Sequence, residues 1–120
     1  MALKVKRVYE AATKADGMRI LVDRLWPRGI AKEKAKVDLW LKEIAPSNTL
    51  RKRFHAKPEK WDDFLKAYAE ELESGEAEGA IKELRRHARK GTVTLLYAAR
   101  DEDHNNAVAL KAWLTRRKRS

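Results

Sequence analysis

Apolar and charged residues alternate from Leu3 to Tyr9, and a period of two predicts a half-exposed β-strand. Ala15-Asp16-Gly17 is a turn signal. The compact run Met18–Val22 that follows suits a more buried strand. Leu25-Trp26-Pro27-Arg28-Gly29 interrupts regular structure, because Pro lacks an amide donor and Gly admits unusual dihedrals. Alternation returns over Val37–Leu41, which predicts a short edge strand. Ser47 fits the N-cap of a helix over Asn48–His55, with Asn48 as the alternative cap. Trp61, Phe64, Leu65, Tyr68 and Leu72 then form one apolar stripe at helical spacing, ended by Ser74-Gly75. Ala80, Ile81, Leu84 and Ala88 mark a second helix, closed by Gly91. Thr92–Tyr97 is β-branched and apolar and reads as a central strand. Val108, Leu110, Trp113 and Leu114 belong to a last helix, starting near Asp101 or Asp103, either of which suits its cap.

This order, with three helices between the third and last strands, requires crossover connections. The expected fold is therefore α/β: a small three-layer domain with a partly parallel sheet of three to four strands covered by helices. Residues 1–120 read as one domain, without repeats, linkers or low-complexity stretches. The strand order is not legible in the pattern.

Composition narrows the chemistry. The absence of Cys excludes disulfides, thiolate zinc sites and thiol catalysis. The first residues lack the apolar core of a secretory signal, and no apolar stretch approaches the roughly 20 residues of a membrane helix. A cytoplasmic protein without a membrane partner is expected. The net charge of +10 favours anionic partners, either a small anionic molecule or nucleic acid. Part of that charge lies in the tail Arg116-Arg117-Lys118-Arg119, which also reads as a solvated helix end. Oligomeric state is not indicated.

Open α/β sheets gather ligands beyond the carboxyl ends of their strands. Two polar segments leave expected strands there, Asp23–Gly29 and Tyr97–Asn106, and Pro46–Arg51 offers a third edge. Arg24, Arg28 and Arg100 supply permanently charged planar forks suited to phosphate or carboxylate. Tyr97, Asn105, Ser47 and Arg51 complete the candidate ligand-binding set, with Trp26 as a stacking wall. The alternative is that Asp23 and Asp101 neutralise these arginines as structural ion pairs. His104 is the candidate acid or base, since an imidazole exchanges protons near neutral pH, with Asp101 orienting it or balancing its charge. His55 and His87 read as surface helix residues. The three His share no metal-ligand spacing, and no Gly-rich phosphate loop, nucleophile elbow or HExxH helix occurs. No metal and no cofactor are expected.

These segments also carry a resemblance. Asp16–Gly29, Trp40–Ser47 with Leu50, Arg51 and Phe54, and Thr94–Asp101 with His104-Asn105 resemble three ordered motifs of the YeaO-like family, a branch of domain of unknown function 488. The resemblance spans nearly the whole chain. It implies a small α/β protein of a family with no settled biochemical activity. Longer relatives carry a Cys-His-Arg motif near the equivalent of the last strand and helix. This chain has Tyr97-Ala98-Ala99-Arg100-Asp101 there, so thiol chemistry does not carry over. Some members are described as transcription regulators, but no helix-turn-helix with a recognition helix is legible here.

Two functions follow as expectations. The first is binding of a small phosphorylated or carboxylated ligand in an Arg-rich pocket, with acid/base catalysis by His104 as its extension. The second is a non-catalytic accessory role on nucleic acid, resting on the net charge.

Overall fold

The run richest in β-formers lies at the middle of the sheet. In the computed structural model, which describes residues 2–116, four strands form: β1 (Leu3–Arg7), β2 (Met18–Leu21), β3 (Leu39–Trp40) and β4 (Val93–Tyr97). Their order is β1-β4-β2-β3. All three pairings are parallel, so the sheet is parallel throughout rather than in part. Every residue of β4 is buried, as expected of a strand with a partner on each side and a layer on each face.

Five helices accompany the sheet: α1 (Lys32–Ala35), α2 (Asn48–Ala56), α3 (Trp61–Glu73), α4 (Glu78–Lys90) and α5 (Asn106–Thr115). Alternation along the strands sorts side chains to two faces. Ile20, Val22, Leu95 and Tyr97 pack with Leu50, Phe64, Tyr68, Leu84 and Leu110 in the main core, which α2 to α5 cover. Leu21 and Leu96 point to the other face, where Val8, Ala35 of α1, Trp26 and Trp40 close a smaller core. The third layer is thus one short helix plus loops.

Beneath that thin layer lies a polar cluster. Arg19, on β2, pairs with Asp16 at 2.6 Å, both side chains being almost fully buried. Its other donors reach the carbonyls of Ala35 and Lys36 and so anchor α1. Lys6 also reaches Asp16, at 3.1 Å. Burial works against ionisation of Asp16, but hydrogen bonds from the Thr13 amide, Lys6, Arg19 and the Thr13 hydroxyl outweigh it and hold the carboxyl far below its ordinary range. Gly17 follows at φ 64°, and a Cβ there would lie 2.2 Å from the Thr92 carbonyl oxygen. That close approach lets Met18 N–H donate to Thr92 and start the β2–β4 pairing.

Helix ends follow local chemistry. Ser47 caps α2, its Oγ accepting from Leu50 N–H, and both its amide and hydroxyl donate to Glu71 of α3. The start of α5 departs from expectation. Asn105 is the cap, accepting from Val108 N–H, and neither Asp101 nor Asp103 is. Asp101 instead receives the amides of Asp103 and His104, which builds a turn before the helix. The tail beyond Arg116 lies outside the described residues. Among the described residues, no helix is long and apolar enough to cross a membrane.

Candidate functional site

β2 and β4 are adjacent and parallel, so the chain leaves both at the same edge of the sheet. The first polar residue after β2 is Asp23. Its Oδ2 accepts the amide of Ala98, the first residue after β4, at 2.9 Å. Asn106, at the start of α5, donates from Nδ2 to Asp23 Oδ1 and to the Val22 carbonyl, each at 3.0 Å. Trp40 Nε1 donates to the Asp23 carbonyl at 2.7 Å. One carboxylate and its backbone therefore clasp the β2 loop, the β4 loop, α5 and β3.

The clasp sits in the wall of a cleft of about 400 Å³. The β2 loop contributes Arg24, Leu25, Trp26 and Arg28, and α5 with its approach contributes His104, Asn105 and Asn106. Arg51, Phe54 and His55 face the cleft from α2, where spacings of three and four residues put them on one side of the helix. Tyr9 and Phe64 complete the apolar part of the wall.

The cleft is cationic. Arg24, Arg28 and Arg51 line it, and among the described residues none of the three makes a salt bridge. Arg24 is engaged elsewhere, donating to the carbonyls of Ala45 and Pro46 at 3.0 and 3.3 Å, so it braces the wall. Arg51 donates one Nη2 bond to Asn48, while its buried Nε meets no acceptor among the described residues. Asp23 is the carboxylate of the lining. Burial raises its carboxyl above the ordinary aspartate value, against the opposing pull of Asn106, the Ala98 amide and the Arg51 charge.

The cleft brings together six residues anticipated from the sequence: Arg24, Trp26, Arg28, Arg51, His104 and Asn105. Of these, Asn105 is buried and spends its side chain on capping α5 and on the Asp101 carbonyl. The others anticipated lie outside the lining. Arg100 is exposed, on a segment held by Arg7, which donates to the carbonyls of Ala98 and Ala99. Tyr97 points into the main core, where burial first, then the Glu102 and Glu10 charges, raise its phenol. Ser47 is consumed by the α2 cap and Glu71. Asp101 is exposed, and its Oδ2 stands 3.8 Å from His104 Nδ1, beyond hydrogen-bonding distance. His104 packs instead against Trp61, the two rings tilted by 34° with centroids 4.8 Å apart. The alternative, ion pairing of Asp23 and Asp101 with the arginines, is absent among the described residues.

Asp23, Asn106, His55 and the apolar wall of Tyr9, Leu25, Phe54 and Phe64 were not picked out as site residues. For His55 a signal existed, because it lies four residues beyond Arg51 on a helix. For Asp23 the signal was its position directly after a buried strand.

Fold and cleft define a small parallel α/β domain with an arginine-lined hollow at the carboxyl edge of its sheet. A family profile described as the inactive DUF488-N3 subclade matches residues 2–120. The chain is 47% identical over 114 residues to the protein called "Uncharacterized protein YeaO" of Escherichia coli (strain K12), covering 95% of this chain and 97% of the relative. It is 40% identical over 115 residues to "Uncharacterized protein Rv3073c" of Mycobacterium tuberculosis (strain ATCC 25618 / H37Rv), covering 96% of this chain and 95% of the relative. "Uncharacterized protein Mb3100c" of Mycobacterium bovis matches to the same extent. No solved structure matches. The chain belongs to the YeaO-like branch of the DUF488 family.

Proposed function

We propose that this protein binds a small phosphorylated or carboxylated molecule in the cleft, with Arg28 and Arg51 as the groups that hold the anion. The observation that carries this reading is that arginines from two distant stretches line one hollow, without a salt-bridge partner among the described residues. An arginine fork matches the oxygens of phosphate and carboxylate, and a buried donor without an acceptor favours a ligand that supplies one. Asp23, the carboxylate of the lining, has both its oxygens engaged by the Ala98 amide and Asn106 and so leaves the arginine forks unclaimed.

The reading is one of binding without turnover. The matching subclade is described as inactive, and among the described residues His104 has no carboxylate within hydrogen-bonding distance to orient it. The nucleic-acid alternative rests on net charge, part of which lies in the tail outside the described residues.

A thermal-shift series with inorganic phosphate and with phosphorylated and carboxylated metabolites tests the proposal. A ligand that binds only the folded state raises the melting temperature with concentration. Wild type is expected to respond and Arg51→Ala to lose the response. Equal shifts in both proteins, or none in wild type, would overturn the assignment.

A further inference from the structure

Resting on the anion-binding reading of the same cleft, we infer that the ligand carries a flat aromatic or heteroaromatic ring beside its anionic group. The cleft is mixed in character. Arg28 and Arg51 bring positive charge to its wall. Tyr9, Leu25, Trp26, Phe54 and Phe64 bring extended apolar surface to the same wall.

The exposure pattern strengthens this. Among the described residues, the large apolar side chains left exposed are Tyr9, at 41%, and Leu25, at 60%. Scattered exposed apolar residues are ordinary, but these two stand on the wall of one cleft. Leu25 sits between Arg24 and Trp26, where a polar residue would be solvated without cost. Tyr9 is held in place, its hydroxyl donating to the Arg28 carbonyl at 2.8 Å, so an apolar ring is tied to the backbone of an anion-holding residue. Trp26 is likewise fixed, its Nε1 donating to the Ile30 carbonyl at 2.8 Å and its ring packed edge-on against Trp40. An inorganic anion would use none of this surface. A ring joined to a phosphate or carboxylate would use both the charge and the apolar surface, and about 400 Å³ is within the range of pockets for such molecules.

Nucleoside monophosphates and simple aryl phosphates are two sources of this chemistry. The test titrates wild type with inorganic phosphate, phenyl phosphate, adenosine 5′-monophosphate and adenosine, by calorimetry and by quenching of tryptophan emission. At least one ring-bearing phosphate is expected to bind about tenfold or more tighter than inorganic phosphate, the scale of a single ring-stacking contact. Preference between the two ring compounds identifies the source. Leu25→Ser alters an exposed side chain and is expected to remove most of that advantage while leaving phosphate affinity within about twofold. Trp26→Phe is expected to abolish the quenching and keep the ring preference. Phosphate binding as tight as that of both ring compounds overturns this inference and leaves the anion reading standing. Absence of binding by every anion overturns both.

Discussion

Asp23 and Ala98 are 75 residues apart in sequence, yet the carboxylate of one accepts the amide of the other at 2.9 Å, across the gap where β2 and β4 release the chain. This bond decides where the two loops begin and therefore where the cleft opens. The same carboxyl is buried enough to hold its proton above the ordinary aspartate value.

Asp23→Asn therefore separates two effects. The amide oxygen can still accept from Ala98, but the acceptor for Asn106 is lost, a cost of about 1–3 kcal/mol at any pH. The titrating part has a definite sign. A carboxyl whose folded value is raised contributes most at low pH, and that contribution fades as pH climbs from the ordinary value through the folded one. The variant's stability relative to wild type should consequently improve as pH is raised from about 4 toward neutral. Urea unfolding of both proteins across that range checks it, and a flat or falling difference would contradict it.

The Asp16 carboxyl has the opposite sign. Its folded value is depressed, so its stabilisation is complete above the ordinary aspartate value of 3.8 and is lost as pH falls below that. Asp16→Ala leaves Arg19 buried without a counter-charge and should cost about 3–5 kcal/mol at neutral pH. Denaturant midpoints at neutral and acidic pH would show the deficit shrinking as acid protonates Asp16 in the wild type.

Gly17→Ala should be costly for a single methyl group. The added Cβ meets the Thr92 carbonyl oxygen at 2.2 Å, and the φ of 64° is unfavourable for any L side chain. A loss of about 2–4 kcal/mol is expected, combining backbone strain with a displaced strand pairing. A melting temperature within a degree or two of wild type would show that the loop yields freely.

Ser47→Ala removes the α2 cap and the hydroxyl bond to Glu71. The expected loss is about 1–2 kcal/mol, visible as a melting temperature lower by several degrees. Since α2 carries Arg51 and His55, anion affinity should fall in parallel, whereas a substitution on the outer side of the same helix, Lys52→Ala, should leave stability within about 0.5 kcal/mol.

The sequence carried the elements more readily than their arrangement. Thr92–Tyr97 and the Trp61–Leu72 stripe state their structures locally, because burial imposes a period on the residues themselves. Ser47 was legible as a cap because capping is a contact over three residues. The position of β4 between β1 and β2 was not legible, since it depends on which apolar faces meet after the chain has closed on itself. For the same reason Arg100 looked equivalent to Arg28. Both follow strands and both are arginines, but the Arg7 hydrogen bonds to Ala98 and Ala99 hold the segment that carries Arg100, and nothing near Arg100 in sequence announces that. Asp23 was hidden by a different effect. A carboxylate between two arginine-bearing segments suggests ion pairing, and its actual partners are an amide nitrogen and an asparagine from the far end of the chain.

The placement of β4 has a consequence for biosynthesis. β1 has β4 as its neighbour in the sheet, and β2 borders β4 and the two-residue β3. A nascent chain growing from its N-terminus therefore carries two strands that cannot dock on each other, and both wait with open edges until residues 93–97 are made. Ribosome-bound chains cut before Thr92 should be the aggregation-prone and chaperone-dependent species, and completion of the last fifth of the polypeptide should convert them to the folded protein in one step.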